Sequence, residues 1–131
     1  MKFIHIFETR KKRARGITVA YESIPRVPTS SVFYDVICGV AYCAPVERNY
    51  SRSLGRKISS NRLMCTKELV PTFRFQMVVS AADLKGVGME YLVISELDRK
   101  LRGTMELLWA GSLVRRRLNG YLDPESKQEE D

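Results

Sequence analysis

Residues 32–44, VFYDVICGVAYCA, constrain the fold of this chain more than any other stretch. Valine, isoleucine and aromatic side chains fall on both of its faces, the composition of a central strand covered on two sides. Asp35 is its one charge and fits a strand-end or edge position facing an arginine; Gly39 marks a bulge or a close backbone approach. Pro45 ends the strand.

Such a strand needs neighbours, and the sequence supplies them. Lys2 to Glu8 (KFIHIFE) alternates, with Phe3, His5 and Phe7 on one face and Ile4 and Ile6 on the other, and Ile17 to Glu22 (ITVAYE) repeats the pattern. Together they predict a β-hairpin whose tip is the basic run RKKRAR, residues 10–15. That run suits nucleic acid as well as it suits plain solubility. Pro25 and Pro28, followed by Thr29, Ser30 and Ser31, predict a loop. Phe73 to Ser80 (FRFQMVVS) predicts one further strand.

Three segments carry helical signals. Ser51 to Cys65 predicts a helix capped by Asn49 or Ser51, with Leu54 and Ile58 on one side and Arg48, Arg52 and Arg56 repeating every four residues on another. Glu90 to Arg102 predicts a second, with Val93, Leu97 and Leu101 one turn apart and Gly103 as its stop. Thr104 is placed to cap a third, Met105 to Leu118, in which Gly111 permits close helix packing and Arg115, Arg116 and Arg117 sit at the C-terminal end, where cations suit the helix dipole. Residues 83–88, with two glycines, predict a turn. No internal repeat is evident. The expected fold is α+β: a small, mostly antiparallel sheet, one connecting helix, and two C-terminal helices packed on one face. A single domain spans residues 1–122, and the acidic finish, residues 123–131, is expected to be a disordered tail.

Charge divides the chain. Residues 1–62 carry twelve Lys/Arg against four Asp/Glu, a net of +8, while residues 63–131 carry ten against eleven, a net of −1; the sum is the +7 of the whole. An anionic partner is therefore expected at the front half. Cys38, Cys43 and Cys65 are odd in number and lack a C-x-x-C pair, and His5 is the lone histidine, so neither a disulfide framework nor a zinc site is expected. The cysteines read as small core residues. No apolar run approaches the roughly 18 residues of a membrane helix, and the short apolar N-terminal stretch precedes its basic cluster, the reverse of a signal peptide. No membrane association and a cytoplasmic location are expected.

Catalytic patterns are missing from the sequence: no nucleophile elbow, no phosphate-binding Walker loop, no H-E-x-x-H. Glu96 and Asp98 project about 200° apart on a helix, so they form no metal-binding pair. A cationic chain without an evident base or nucleophile reads as a binder, not an enzyme, with no cofactor. The binding elements converge on residues 39–63, GVAYCAPVERNYSRSLGRKISSNRL, where a strand and turn lead into a helix start loaded with cations. Gly55 costs that helix about 1 kcal/mol relative to alanine, which suits a position where a ligand or another backbone comes close.

The patterns G-V-A-x-C-x-P and S-R-x-x-G-R-x-I-S-x-x-R-L within that stretch resemble the phage Thoeris anti-defence family of the first-described type, with Ser59 and Glu47 standing where alanine and aspartate are expected. The resemblance implies a cyclic-nucleotide sponge: a homo-oligomer, dimer or hexamer, that sequesters glycocyclic ADP-ribose and, in some members, cyclic oligonucleotides in the cytoplasm of an infected bacterial host cell, without cleaving them. Under that reading Ser51, Arg52 and Arg56 hold phosphates, Tyr42 or Tyr50 stacks an adenine, and Arg115 and Arg116 of a neighbouring subunit complete the pocket. For each tyrosine a structural role in the core is the competing reading. Two alternative functions share the same charge: a basic phage nucleic-acid-binding regulator and an inhibitor that docks on a host protein.

Overall fold

The computed structural model describes residues 1–10, 13–27, 30–43, 51–65 and 72–122. Four strands, β1 (Lys2–Arg10), β2 (Arg13–Val27), β3 (Ser30–Cys43) and β4 (Arg74–Ser80), form one antiparallel sheet in the order β1-β2-β3-β4. Helix α1 (Arg52–Met64) connects β3 to β4, and α2 (Ala81–Val87), α3 (Met89–Leu101), a 3₁₀ turn (Met105–Leu107) and α4 (Leu108–Leu122) follow. The fold is α+β, as the alternation of β-rich runs and later helical periodicity predicts.

The N-terminal hairpin is longer than its apolar pattern suggests. Strand pairing continues through Thr9↔Ala14 and Arg10↔Arg13, so most of the basic run is strand and only residues 11 and 12 fall outside the described chain. Pro25 also lies within a strand. By that point β1 has ended, its last partner on β2 being Tyr21, so no ladder hydrogen bond is lost on the open side of Pro25, and the register against β3 shifts between Pro25 and Val27. Asp35 on β3 pairs with Arg26 at 3.5 Å, both exposed. Residues 83–88 correct the expectation of a turn: α2 is helical through Val87 because the Ser80 hydroxyl accepts from the Asp83 N–H at 3.1 Å, starting a helix that Gly88, at φ 86°, then ends. The predicted tail, residues 123–131, lies outside the described residues.

Strand alternation sends two different surfaces to the two sides of the sheet. One side presents Ile4, Ile6, Ile17, Val19, Tyr21, Val36, Cys38, Val40, Phe75 and Val79, packed with Val93, Ile94, Leu97 and Leu101 of α3 and Ala110, Leu113 and Val114 of α4. This is the main core. The other side, under α1, presents Thr18, Ala20, Gly39 and Ala41. Gly39 and Gly55 admit the helix: a Cβ on Gly39 would collide with the Ser59 carbonyl oxygen and the Leu63 amide nitrogen, and a Cβ on Gly55 with the Thr18 side chain. The buried stripe of α1 is Gly55, Ser59 and Leu63, not the Leu54 and Ile58 side, which is only half-buried. Of the cysteines, Cys38 is fully buried, with its thiol pushed up by burial, while Cys43 and Cys65 are half-buried.

Candidate functional sites

Ser51 caps α1, accepting from the Leu54 N–H at 3.3 Å, and places Arg52 at the first helical position. The Arg52 guanidinium lies over the Phe7 ring at 5.0 Å from its centroid. Phe7 is 43% exposed at the hairpin end of β1, and His5, two residues back on the same face, bonds the Thr18 hydroxyl at 3.1 Å. Burial pulls the His5 imidazole below its usual value, and Arg52 and Arg56 add to that pull. Arg56 therefore shares this corner electrostatically. Its carbonyl accepts from the Ser60 and Ser59 hydroxyls at 2.6 and 3.3 Å, and its side chain is exposed. Among the described residues no carboxylate forms an ion pair with Arg52 or Arg56. Arg62, at the far end of α1, has partners: it donates to the Val40 carbonyl at 2.8 Å and covers the Phe73 ring at 4.2 Å.

The tyrosines divide. Tyr42 is structural: its hydroxyl donates to the Thr72 carbonyl at 2.6 Å, its ring meets Phe73 at 5.5 Å and Trp109 at 6.4 Å, and burial raises its pKa. It belongs to the side of the sheet opposite α1, packed against the main core. Tyr50 lies outside the described residues. The exposed ring beside the cations is instead Phe7, whose signal in the sequence was the alternation that set it on the His5 face.

Arg115 and Arg116 stand on the other side of the sheet from Arg52 and Arg56, so one chain does not bring the two pairs together. Arg116 donates to Glu8 at 2.7 Å, and Arg15, the cross-strand partner of Glu8, binds the same carboxylate. Burial pushes the Glu8 carboxyl up, but Arg116 and Arg15 together outweigh it and hold the group below its usual value. Arg15 also reaches the Trp109 ring at 5.8 Å, so at least one arginine of the basic run is engaged within the fold. Arg117 donates to the His5 carbonyl at 2.8 Å, tying α4 to β1.

Arg115 faces a second place altogether. Asp98 of α3, only 3% exposed, accepts from Arg102 at 3.0 Å and has the Arg115 Nε 3.6 Å from its other oxygen. These groups line a cleft of about 510 Å³ between α3 and α4, reached also by Gly111, Ser112 and Asn119. Gly111 does not serve close helix packing; a Cβ there would meet nothing within 4 Å, and the position opens into the cleft. Sequence periodicity shows Asp98 and Arg102 one turn apart but not that α4 crosses them. Among the described residues no group of three or more His, Cys, Asp or Glu is placed to hold a metal ion, and no helix is long and apolar enough to cross a membrane.

Comparison with protein-family models finds no match to this sequence, and comparison with curated proteins and with solved structures finds none either.

Proposed function

We propose that this chain binds and sequesters a small cyclic phosphorylated nucleotide at the start of α1 without cleaving it, as the resemblance to the Thoeris anti-defence sponges implies. The observation that carries the reading is Arg52 over the exposed Phe7 ring, with Arg56 one turn further along and no carboxylate paired to either among the described residues. Two like charges at that spacing repel by a few tenths of a kcal/mol, and an incoming phosphate turns the repulsion into shared attraction. Guanidinium forks grip phosphate bidentately, and a flat apolar ring beside them suits a base. Assembly as a dimer or hexamer in the cytoplasm of an infected bacterial cell belongs to the same proposal, the oligomer being measurable by sedimentation.

The test is to incubate the protein with glycocyclic ADP-ribose or a cyclic trinucleotide, remove the protein from solution, and then heat it. Intact nucleotide released only on heating supports sequestration. A linearised product overturns the non-cleaving reading, and an undepleted solution overturns the nucleotide reading. Arg52→Ala and Arg56→Ala are each expected to weaken binding at least tenfold while leaving the circular dichroism spectrum unchanged. Binding to single-stranded oligonucleotides that falls steeply with salt, in the absence of nucleotide depletion, would instead favour a nucleic-acid-binding regulator.

A further inference from the structure

The cleft between α3 and α4 contains a polar group that the fold leaves incomplete. The Asp98 side chain is 4% exposed, and among the described residues its Oδ1 has no hydrogen-bond partner. Arg102 satisfies Oδ2 at 3.0 Å, whereas the Arg115 Nε, 3.6 Å from Oδ1, is within ion-pair range but too far for a hydrogen bond. An ionised carboxylate only accepts, and it has room for about four donors. A buried acceptor left unfilled is costly. The vacant side of Asp98 therefore calls for a donor that the described residues do not supply.

The groups around it call for an anion. Arg102 and Arg115 are 65% and 61% exposed along their side chains, leaving most of their N–H donors unused, and Arg116 reaches the same cleft. Arg116 is already paired with Glu8, so Arg102 and Arg115 against Asp98 leave the lining a net charge of +1 to offer an anion. A phosphate monoester carries about −2 near neutral pH. The volume, about 510 Å³, is that of a small-molecule site. Gly111, the fourth residue of α4, keeps it open where glycine is a poorer helix former than alanine, and no packing neighbour demands the missing side chain.

We propose that this cleft is a binding site for a small phosphate ester that also carries a hydrogen-bond donor, the phosphate being held by Arg102 and Arg115 and a hydroxyl or amino group donating to Asp98. The site is independent of the one at α1, because it lies on the opposite side of the sheet and shares no residue with it. An anion without a donor meets the Asp98 charge unrelieved, so Asp98 selects among phosphates and the arginines supply the attraction.

Calorimetric titration of the whole chain with AMP, which has ribose hydroxyls and an amino group, and with methyl phosphate, which as a dianion has no donor, tests this. AMP is expected to bind and methyl phosphate to bind at least tenfold more weakly. Gly111→Leu places a side chain in open space without touching the charged groups, suits a helix, and is expected to weaken AMP binding at least tenfold. Arg52→Ala is expected to leave it unchanged, which separates failure here from failure at α1. Absence of AMP binding, or equal AMP affinity in the wild type and Gly111→Leu, overturns the site; equal affinity for AMP and methyl phosphate overturns the role of Asp98. Loss of AMP binding in Arg52→Ala with retention in Gly111→Leu moves the ligand to α1 and overturns the proposal as well.

Discussion

The two sides of the sheet are covered by opposite strategies. On the α3–α4 side, branched and aromatic side chains from both layers interdigitate, and the separation between helix and sheet is filled by Ile17, Val19, Val40, Ile94 and Leu97, all fully buried. On the α1 side there is little to interdigitate: Gly39 and Gly55 lower the helix until its backbone touches the strand, and Thr18, Ala20 and Ala41 form a shallow seat. The first contact fails when atoms are removed. The second fails when atoms are added. That difference follows from packing physics, since a void forfeits burial and dispersion whereas a collision between backbones has no side chain to rotate away.

The largest expected effect tests the filled side. Leu97→Ala empties the centre of the α3 contact and should destabilise the chain by about 2–5 kcal/mol, read as a shift in the urea midpoint at unchanged slope. Next is Gly39→Ala, one carbon added on the α1 side. Its Cβ falls on the backbone of Ser59 and Leu63, so a loss of about 3 kcal/mol is expected, together with new proteolytic cleavage in α1 and an intact α3–α4 core by near-ultraviolet circular dichroism. Equal protection of α1 in this variant and the wild type would erase the contrast between the two sides.

The smallest effect is a pH dependence that belongs to the α1 side alone. His5 has a lowered pKa in the folded state, so as pH falls below about 6.5 the unfolded chain takes up a proton that the native one resists, and stability declines. Above that value the contribution is fully present. The sign is that of a base kept neutral by burial and by Arg52 and Arg56. His5→Gln should flatten the fall in denaturation midpoint between pH 7.5 and 5.5. Because His5 is the only histidine, its ring signals report this corner directly by NMR, and an anion bound at Arg52 and Arg56 should raise its titration midpoint.

How much of this was legible beforehand depends on which side is asked about. The filled side announces itself in alternating Ile4 and Ile6, in Ile17, Val19 and Tyr21, and in the one-turn spacing of Val93, Leu97 and Leu101, because burial of large apolar groups leaves a periodic trace. The seat under α1 leaves almost none: Gly55 and Ser59 carry no hydrophobic signal, and the visible apolar pair, Leu54 and Ile58, is not the docked face. Ser51, one of two candidate caps, and Gly39, read as a bulge or a close approach, were readable because each is a local backbone requirement. Helix α2 was masked by Gly86 and Gly88, which read as a turn, while the Ser80 cap that starts it went unread. The separation of Arg52 and Arg56 from Arg115 and Arg116, and the burial of Asp98, depend on which helix takes which side of the sheet. No spacing along the chain encodes that choice.

The bridge from Glu8 to Arg116, and the bond from the His5 carbonyl to Arg117, span 108 and 112 positions of the chain. During synthesis at 5–20 residues per second, Glu8 would then wait roughly 5 to 20 seconds for Arg116 to be made. Through that interval the hairpin has Arg15 as the cross-strand partner of Glu8 but no α4 over Ile4 and Ile6. Until α4 is made, the apolar faces of the hairpin thus lack part of their cover, and α4 acts as the latch that ends the exposure.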